Sequence, residues 1–131
     1  MTRDREIDLE APVVLVIDDD AFVGRAVACI LHEARQAQVY LARTADQALP
    51  LAAAVCPDLI LTDVRMPGMT ALELCRGLRE APSTQHTPIY LLTGVLSGDQ
   101  SLESLAQYVQ GVLSKPPDPV ELLGLFDREC G

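Results

Sequence analysis

The chain has 131 residues, of which 49% are hydrophobic and 22% charged, and this composition is typical of a single globular domain. The formal charge of -9 opposes contact with nucleic-acid backbones and anionic membrane surfaces, which argues against direct nucleic-acid binding. No apolar run approaches the roughly 18 residues that a membrane-spanning helix needs, so we expect no membrane insertion. The four cysteines form no C-x-x-C pair, which argues against a zinc site or a disulfide framework and predicts reduced thiols in a cytoplasmic protein.

The N-terminal segment differs from the rest of the chain. Residues 2–11 are mostly charged and show neither a helical nor a strand period. Segments of this kind cannot bury enough apolar surface to fold by themselves. We therefore expect a flexible arm over residues 1–12 and one domain over residues 13–131.

Five short apolar segments recur along the domain, and the stretches between them are long enough for helices. The segments are 13–17, 38–42, 58–62, 88–93 and 111–114. Their continuous apolar character predicts strands that are covered on both faces. Alternation of strand and helix implies right-handed crossovers, so the expected class is α/β, a doubly wound parallel sheet with helices on both faces.

The stretches between the strands carry the apolar periodicity of amphipathic helices. The expected core faces are Phe22, Ala26, Cys29 and Ile30 in the first helix, and Leu102, Leu105, Ala106 and Val109 in the fourth. Asp20, Thr44 and Asp118 are placed to cap the first, second and fifth helices. Pro50 lies inside the second predicted helix, where it removes a backbone donor, so we expect that helix to be kinked or shortened.

Polar residues stand at the ends of four predicted strands. The first strand ends in Asp18 and Asp19, the third in Asp63, the fourth in Thr93 and the fifth in Lys115. In a doubly wound sheet, ligands bind outside the carboxyl ends of the strands, where the strand order reverses. If the first, third, fourth and fifth strands are neighbours, these five side chains converge on one pocket.

Three carboxylates in one pocket repel one another, so they must share a proton or hold a cation. Oxygen ligands without a nearby histidine or thiol select Mg²⁺ or a similar ion such as Mn²⁺. We expect Asp19 and Asp63 to be direct ligands and Asp18 to act through water. The main-chain carbonyl of Arg65 is expected to supply a further oxygen.

Lys115 is the sole lysine of the chain, against nine arginines. Its ammonium can pair with Asp63 and then with a phosphoryl oxygen, while the Thr93 hydroxyl donates to another. Phosphoryl transfer needs little beyond alignment and neutralisation of charge, so the pocket suits that reaction. Each residue alone also has a structural explanation as a helix cap, a packed strand end or a solvated loop cation. The functional interpretation depends on their joint occurrence.

In this order, the motifs VLVIDDD, PDLILTDVRMPGM, IYLLTG and VLSKP resemble the receiver domains of response regulators, from about residue 13 to the C-terminus. The resemblance implies a flavodoxin-like, chemotaxis-regulator-like fold with strand order 2-1-3-4-5. It also implies the roles of five residues: phosphoacceptor Asp63, acidic pair Asp18 and Asp19, switch hydroxyl Thr93 and family lysine Lys115. A cis peptide bond before Pro116 is implied as well.

A receiver domain is a signalling domain that assists only its own phosphorylation and dephosphorylation. The resemblance implies that Asp63 takes a phosphoryl group from a sensor histidine kinase or a histidine phosphotransfer protein, with the help of Mg²⁺. The added charge then draws Thr93 inward and biases a two-state equilibrium at the surface of the fourth helix, fifth strand and fifth helix. A homodimer or an effector is expected on the fifth helix, whose apolar residues exceed one core stripe: Val120, Leu122, Leu123, Leu125 and Phe126. Whether the receiver acts alone or within a longer regulator is left open.

Three positions depart from the family pattern. Val112 stands where members with a rotating aromatic switch carry an aromatic residue, Pro117 where phenylalanine is common, and Ala71 where glycine is usual. We expect phosphoryl acceptance to survive these changes and the relay of the signal to differ.

Three other functions stay open at this point. A nucleotide- or flavin-binding module shares the fold class, but it needs glycines and backbone donors where this chain has three aspartates. A Mg²⁺-dependent phosphohydrolase of the haloacid-dehalogenase type carries a second aspartate two positions after the first, and Arg65 holds that position here. A degenerate receiver that only binds proteins is the third, and Val112 keeps it open.

Overall fold

The computed structural model describes residues 11–65, 69–94 and 100–131, and for residues 100–102 it describes only the backbone. Five strands and five helices alternate along these residues. The strands are β1 (Val13–Ile17), β2 (Gln38–Ala42), β3 (Leu59–Asp63), β4 (Ile89–Thr93) and β5 (Gly111–Ser114). The helices are α1 (Ala21–Arg35), α2 (Ala45–Val55), α3 (Ala71–Glu80), α4 (Gln100–Leu105) and α5 (Pro119–Cys130). Residues 1–10 of the predicted arm lie outside the described residues.

The strands form one parallel sheet in the order β2-β1-β3-β4-β5. The doubly wound α/β fold and its strand order are therefore confirmed. β1 and β3 are neighbours, and Asp63 at the end of β3 pairs in register with Leu92 of β4. Consequently the carboxyl ends of β1, β3 and β4 lie side by side.

Two strands begin one residue later than predicted. Before β3, the Asp58 carboxylate accepts the main-chain N–H of Val13 at 2.8 Å, so this residue fastens the start of β1. Before β4, Pro88 has no N–H to donate to a ladder. Asp63 is the last residue of β3, at the strand end where the sequence places it.

Each face of the sheet carries its own hydrophobic core. Along β1, Val14 and Val16 face one core, whereas Leu15 and Ile17 face the other. Residues of α1 and α5 close the first core, and residues of α2, α3 and α4 close the second. None of the four β1 side chains is more than 1% exposed, which explains why the strand is apolar at consecutive positions.

The predicted core face of α1 is wrong by one position. Val23, Val27 and Leu31 are buried against the sheet, whereas Phe22 is 70% exposed. The remaining predicted residues are divided: Cys29 is exposed, while Ala26 and Ile30 are half-buried. Phe22, Ala26 and Cys29 instead line a surface groove of about 410 Å³ together with Arg25.

The predicted helix caps are confirmed. Side-chain oxygens of Asp20, Thr44 and Asp118 each accept a main-chain N–H from the first turn of α1, α2 and α5. α2 runs through Pro50 and ends at Val55, so the proline does not shorten the helix. Within the described ranges, none of the helices has the length and the apolar character needed to cross a bilayer.

The faces of α4 and α5 differ in part from the prediction. Near α4, Leu105 is buried and Val109 half-buried, but Ala106 is exposed; the Leu102 side chain lies outside the description. In α5 the predicted second apolar face is wrong, because four of the five apolar residues assigned to the helix surface and core pack into the core. Val120 is 78% exposed, Leu123 packs against the core, and the buried residues are Leu122, Leu125 and Phe126.

Candidate metal and phosphoryl site

The predicted site residues meet at the carboxyl edge of the sheet. β1 leads directly into Asp18 and Asp19, and the neighbouring strand β3 ends in Asp63. The Asp18 N–H donates to the carbonyl of Ala42 at 3.0 Å, which continues the pairing of β1 with β2 beyond β1 itself. Carboxylate oxygens of the three aspartates lie within 4.8 Å of one another.

Asp18 is the most buried member of this cluster, at 3% exposure. Its Oδ1 accepts the Asp20 main-chain N–H at 2.9 Å and a hydrogen bond from Lys115 Nζ at 3.2 Å. Its Oδ2 lies 3.0 Å from the same Nζ, yet this buried oxygen accepts no hydrogen bond of acceptable geometry. Lys115 is therefore an ion-pair partner of Oδ2, and the oxygen keeps lone pairs for a cation.

Lys115 bridges Asp18 and Asp63. Its Nζ lies 3.1 Å from Asp63 Oδ2, and its side chain is 18% exposed. The other carboxylate oxygen of Asp63 accepts the main-chain N–H of Arg65 at 3.2 Å. The Asp63 side chain therefore points into the pocket toward Lys115 and not into solvent.

The same local turn holds Asp18 and Asp63. In both, Oδ1 accepts the N–H of the residue two positions ahead, while Oδ2 lies near Lys115. The sequence pattern predicted only a helix cap for Asp20 and did not reveal that its N–H orients Asp18. The tendency of aspartate to bond the backbone two residues on was the signal that could have revealed this contact.

The raised pKa of Asp18 indicates that the Lys115 ammonium does not fully compensate the burial of this carboxylate. Burial raises the pKa of Asp18, hydrogen bonds from Asp20 and Lys115 oppose that increase, and the charge of Asp63 adds to it. Burial lowers the pKa of Lys115, but its hydrogen bonds to the two carboxylates outweigh this effect and leave the pKa raised. Lys115 is therefore firmly charged, whereas the buried carboxylate still lacks compensation.

The donor set fits a divalent cation. Three carboxylates against one ammonium leave an excess of two negative charges in the cluster. All candidate ligands are oxygens, which suits Mg²⁺ or Mn²⁺. The buried Asp18 Oδ2 without a hydrogen bond and the exposed carboxylate of Asp19 both remain able to face such an ion directly or through water.

Thr93 and Arg65 lie at the same edge. Thr93 is the last residue of β4, is 8% exposed and pairs in register with Ser114, the residue before Lys115. Arg65 follows β3, and its side chain is exposed. The Lys115-Pro116 peptide bond is cis, as the resemblance implied. The structure thus places every predicted site residue at one edge of the sheet.

A family model described as the response regulator receiver domain matches residues 14–127, which is most of the chain. The chain belongs to this family. The receiver therefore serves phosphorylation-dependent signalling in two-component systems and is a signalling domain, not a conventional enzyme.

Relatives of this receiver occur in bacterial response regulators. Response regulator PleD of Caulobacter vibrioides is 36% identical over 109 residues, which cover 83% of this chain and 24% of PleD. The chain thus spans about a quarter of the length of that relative. Chemotaxis response regulator CheY4 of Vibrio cholerae is 32% identical with a TM-score of 0.80, over 90% of this chain and 98% of CheY4.

A further structural neighbour contains a metal ion. The receiver domain of sensor histidine kinase PA1611 from Pseudomonas aeruginosa has a TM-score of 0.79 at 26% identity, over 91% of this chain and 97% of that one. That protein coordinates a magnesium ion in its active-site cleft. In the present receiver, the acidic cluster is a candidate for the same kind of ion.

Proposed function

We propose that Asp63 accepts a phosphoryl group from a phosphohistidine of a sensor histidine kinase or a histidine phosphotransfer protein. The observation that carries the proposal is the contact of Asp63 Oδ2 with Lys115 Nζ at 3.1 Å, inside a cluster of three carboxylates. Membership in the receiver family supports it, because such domains work in two-component systems.

In the proposed reaction, a carboxylate oxygen of Asp63 attacks phosphorus in line with the departing histidine nitrogen. The new O–P bond forms as the P–N bond breaks, and the imidazole leaves with the electron pair of that bond. The Lys115 ammonium passes from the carboxylate to a phosphoryl oxygen, and the Thr93 hydroxyl donates to another. The product is an aspartyl phosphate, and the domain assists only this step and the later hydrolysis, in which water attacks phosphorus and Asp63 leaves as the carboxylate.

Four groups would hold Mg²⁺ or Mn²⁺ in this proposal: Asp18, Asp19, Asp63 and the main-chain carbonyl of Arg65. Asp19 and Asp63 would bind directly, and Asp18 through water. The bound ion would neutralise charge on the phosphoryl oxygens. The excess negative charge of the cluster and the buried Asp18 Oδ2 support this assignment.

The proposed output surface consists of α4, β5 and α5. On it, Val112 is 40% exposed and Val120 is 78% exposed. A homodimer partner or an effector would contact α5 near its first turn, because the later apolar residues of this helix pack into the core. Size measurement with and without beryllofluoride, a phosphoryl mimic, tests dimer formation. A monomer at high concentration under both conditions would count against the homodimer.

The proposed division of the chain is an arm over residues 1–12 and a receiver domain over residues 13–131. The family match from residue 14 supports the boundary. A cytoplasmic location is proposed on the ground that the cysteines form no disulfide pattern in the sequence.

The family membership argues against the nucleotide-binding and phosphohydrolase alternatives. A receiver that only binds proteins remains the second candidate, since Val112 departs from the aromatic switch pattern. It is less well supported because the acidic, hydroxyl and ammonium positions are all filled. Prolonged incubation with small phosphate esters separates an enzyme from a receiver, which should stop near one phosphoryl group per chain.

The decisive experiment is incubation with acetyl phosphate and Mg²⁺, followed by intact mass measurement. The native chain should gain one phosphoryl group, and Asp63→Asn should gain none. Asp46→Asn, which changes an exposed carboxylate in the first turn of α2, serves as the matched control and should behave as the native chain. Failure of the native chain to gain mass, or equal gain by Asp63→Asn, would overturn the proposal.

A further inference from the structure

Arg79, near the end of α3, makes a cluster of contacts that the proposed reaction does not use. Its Nη1 donates to the carbonyl of Thr87 at 2.7 Å, and its Nη2 donates to the carbonyl of Tyr108 at 2.8 Å. Longer contacts complete the set: Nε to the same Tyr108 carbonyl at 3.2 Å, Nη1 to the carbonyls of Thr84 and Gln85 at 3.2 Å, and Nη2 to Gln110 Oε1 at 3.4 Å. Within the part of the chain that the structure describes, all these acceptors are neutral oxygens.

The acceptors belong to two connections at the edge of the sheet opposite Asp63. Thr87 lies just before β4, and Tyr108 lies between α4 and β5. Gln110 reinforces the link, because its Oε1 accepts the Ile89 N–H at 2.7 Å and its own N–H donates to the Ile89 carbonyl at 2.8 Å. A single guanidinium therefore ties the end of α3 to the starts of both β4 and β5.

The end of α4 takes part in the same cluster. The Tyr108 N–H donates to the carbonyl of Leu105 at 2.8 Å, and Leu105 is 1% exposed. The Tyr108 ring packs against the second core, and its hydroxyl accepts a hydrogen bond from Arg76 Nε at 3.3 Å. The turn that follows α4 is thus held at Tyr108 by the core and by two arginines of α3.

We infer that Arg79 fastens the end of α4 remote from Asp63, so that switching turns α4 about a fixed end at Tyr108. The inference rests on the proposed function, because it takes phosphorylation of Asp63 as the signal. β4, which ends at Thr93, precedes α4 in the chain, so in this proposal the signal reaches the helix from the end opposite Tyr108. Small shifts at one site are amplified in such elements because packed cores have discrete alternative arrangements and do not deform continuously. In this arrangement, motion of α4 transmits the signal although position 112 is a valine and not an aromatic residue.

The geometry requires arginine. A guanidinium has five N–H donors in a rigid plane, whereas a lysine ammonium has three donors on one atom. A lysine at position 79 keeps the charge, but it cannot reach the Thr87 and Tyr108 carbonyls at once with the same alignment. Charge-assisted bonds of this type are stronger than neutral ones, so their loss should loosen both connections.

Amide hydrogen exchange of the native chain, Arg79→Lys and Arg76→Lys tests the inference. Without a phosphoryl mimic, Arg79→Lys should accelerate exchange over residues 106–110 by about tenfold, which corresponds to about 1.4 kcal/mol of local opening. Arg76→Lys is the matched control on the same helix, since Arg76 contacts only the Tyr108 hydroxyl in this cluster. It should accelerate exchange much less.

Beryllofluoride with Mg²⁺ then tests the fixed end. In the native chain it should change exchange over residues 100–104 and leave residues 106–110 nearly unchanged, whereas in Arg79→Lys both ranges should change. Equal change of both ranges in the native chain, or unchanged exchange over residues 106–110 in Arg79→Lys, would overturn the inference. The native measurement suffices if Arg79→Lys does not fold. If the native chain takes up no phosphoryl group from acetyl phosphate, the proposed function is refuted instead. The comparison of the native chain with Arg79→Lys in the absence of beryllofluoride then still tests whether Arg79 holds residues 106–110.

Discussion

Single residues of the site are oriented by short-range hydrogen bonds before any cation binds. Asp18 and Asp63 each give one oxygen to a main-chain N–H two residues ahead and direct the other toward Lys115. Groups held in this way need little reorganisation when charge develops on a phosphoryl group. The cost is a buried carboxylate that one ammonium does not compensate, as the raised pKa of Asp18 shows.

The raised pKa of Asp18, caused mainly by burial, predicts a pH effect on stability. A carboxyl whose pKa is raised on folding stabilises the folded state below its unfolded pKa and loses that contribution as the pH rises through the folded pKa. In the presence of a chelator, the native chain should therefore lose stability relative to Asp18→Asn as the pH rises above about 4, the ordinary pKa of an aspartate. Urea unfolding at several pH values measures the difference, and a difference that is independent of pH would contradict the prediction.

The sequence predicted which residues form the site, because polar side chains at the ends of buried strands must share one edge of a parallel sheet. Their roles came from the family resemblance. The link from Asp20 to Asp18 was missed because aspartate after a strand also caps helices, and here Asp20 does both. Local sequence rules predict each of these two roles separately. They do not predict that one residue performs both.

At the scale of elements, α1 shows a limit of periodicity. Two apolar stripes run along it at helical spacing, one through Phe22 and Cys29 and the other through Val23 and Val27. They differ by one residue, or about 100° around the helix axis. Which stripe is buried depends on how α1 is oriented against the sheet after β1. The sequence of the helix alone does not contain that orientation.

Paired substitutions in α1 test the corrected face. Val27 is fully buried and Phe22 is 70% exposed. Val27→Ala should lower the free energy of unfolding by about 2 kcal/mol, because it leaves a cavity in the core. Phe22→Ala should change it by less than about 0.5 kcal/mol, although more atoms are removed. Urea denaturation of both variants measures the contrast, and a larger loss for Phe22→Ala would restore the original stripe.

Pro50 in α2 should be replaceable with a gain in stability. The helix continues on both sides of this exposed residue, so the proline removes a hydrogen bond to the carbonyl four residues earlier, that of Asp46. Pro50→Ala should raise the free energy of unfolding by about 2 kcal/mol, after allowance for the more flexible unfolded chain. Ala53→Pro, at another exposed position of the same helix, is the control and should destabilise. Thermal unfolding that ranks Pro50→Ala below the native chain would contradict this.

In the whole molecule, the order of the strands brings together groups that are far apart in the chain. Lys115 contacts Asp18 across 97 positions. Alternating apolar segments predicted the class of fold, since buried parallel strands need helices on both faces. The strand order came from the resemblance, because apolar pattern does not state which strand lies beside which.

Because the carboxylate cluster exists only in the folded chain, Mg²⁺ should stabilise the receiver by linkage. At a free Mg²⁺ concentration about 100 times its Kd, the free energy of unfolding should increase by about 2.7 kcal/mol. Asp63→Asn should lose most of this increase, whereas Asp46→Asn, on the exposed side of α2, should keep it. Urea unfolding with Mg²⁺ and with a chelator measures the effect. An equal increase in Asp63→Asn and the native chain would mean that the ion stabilises another part of the molecule.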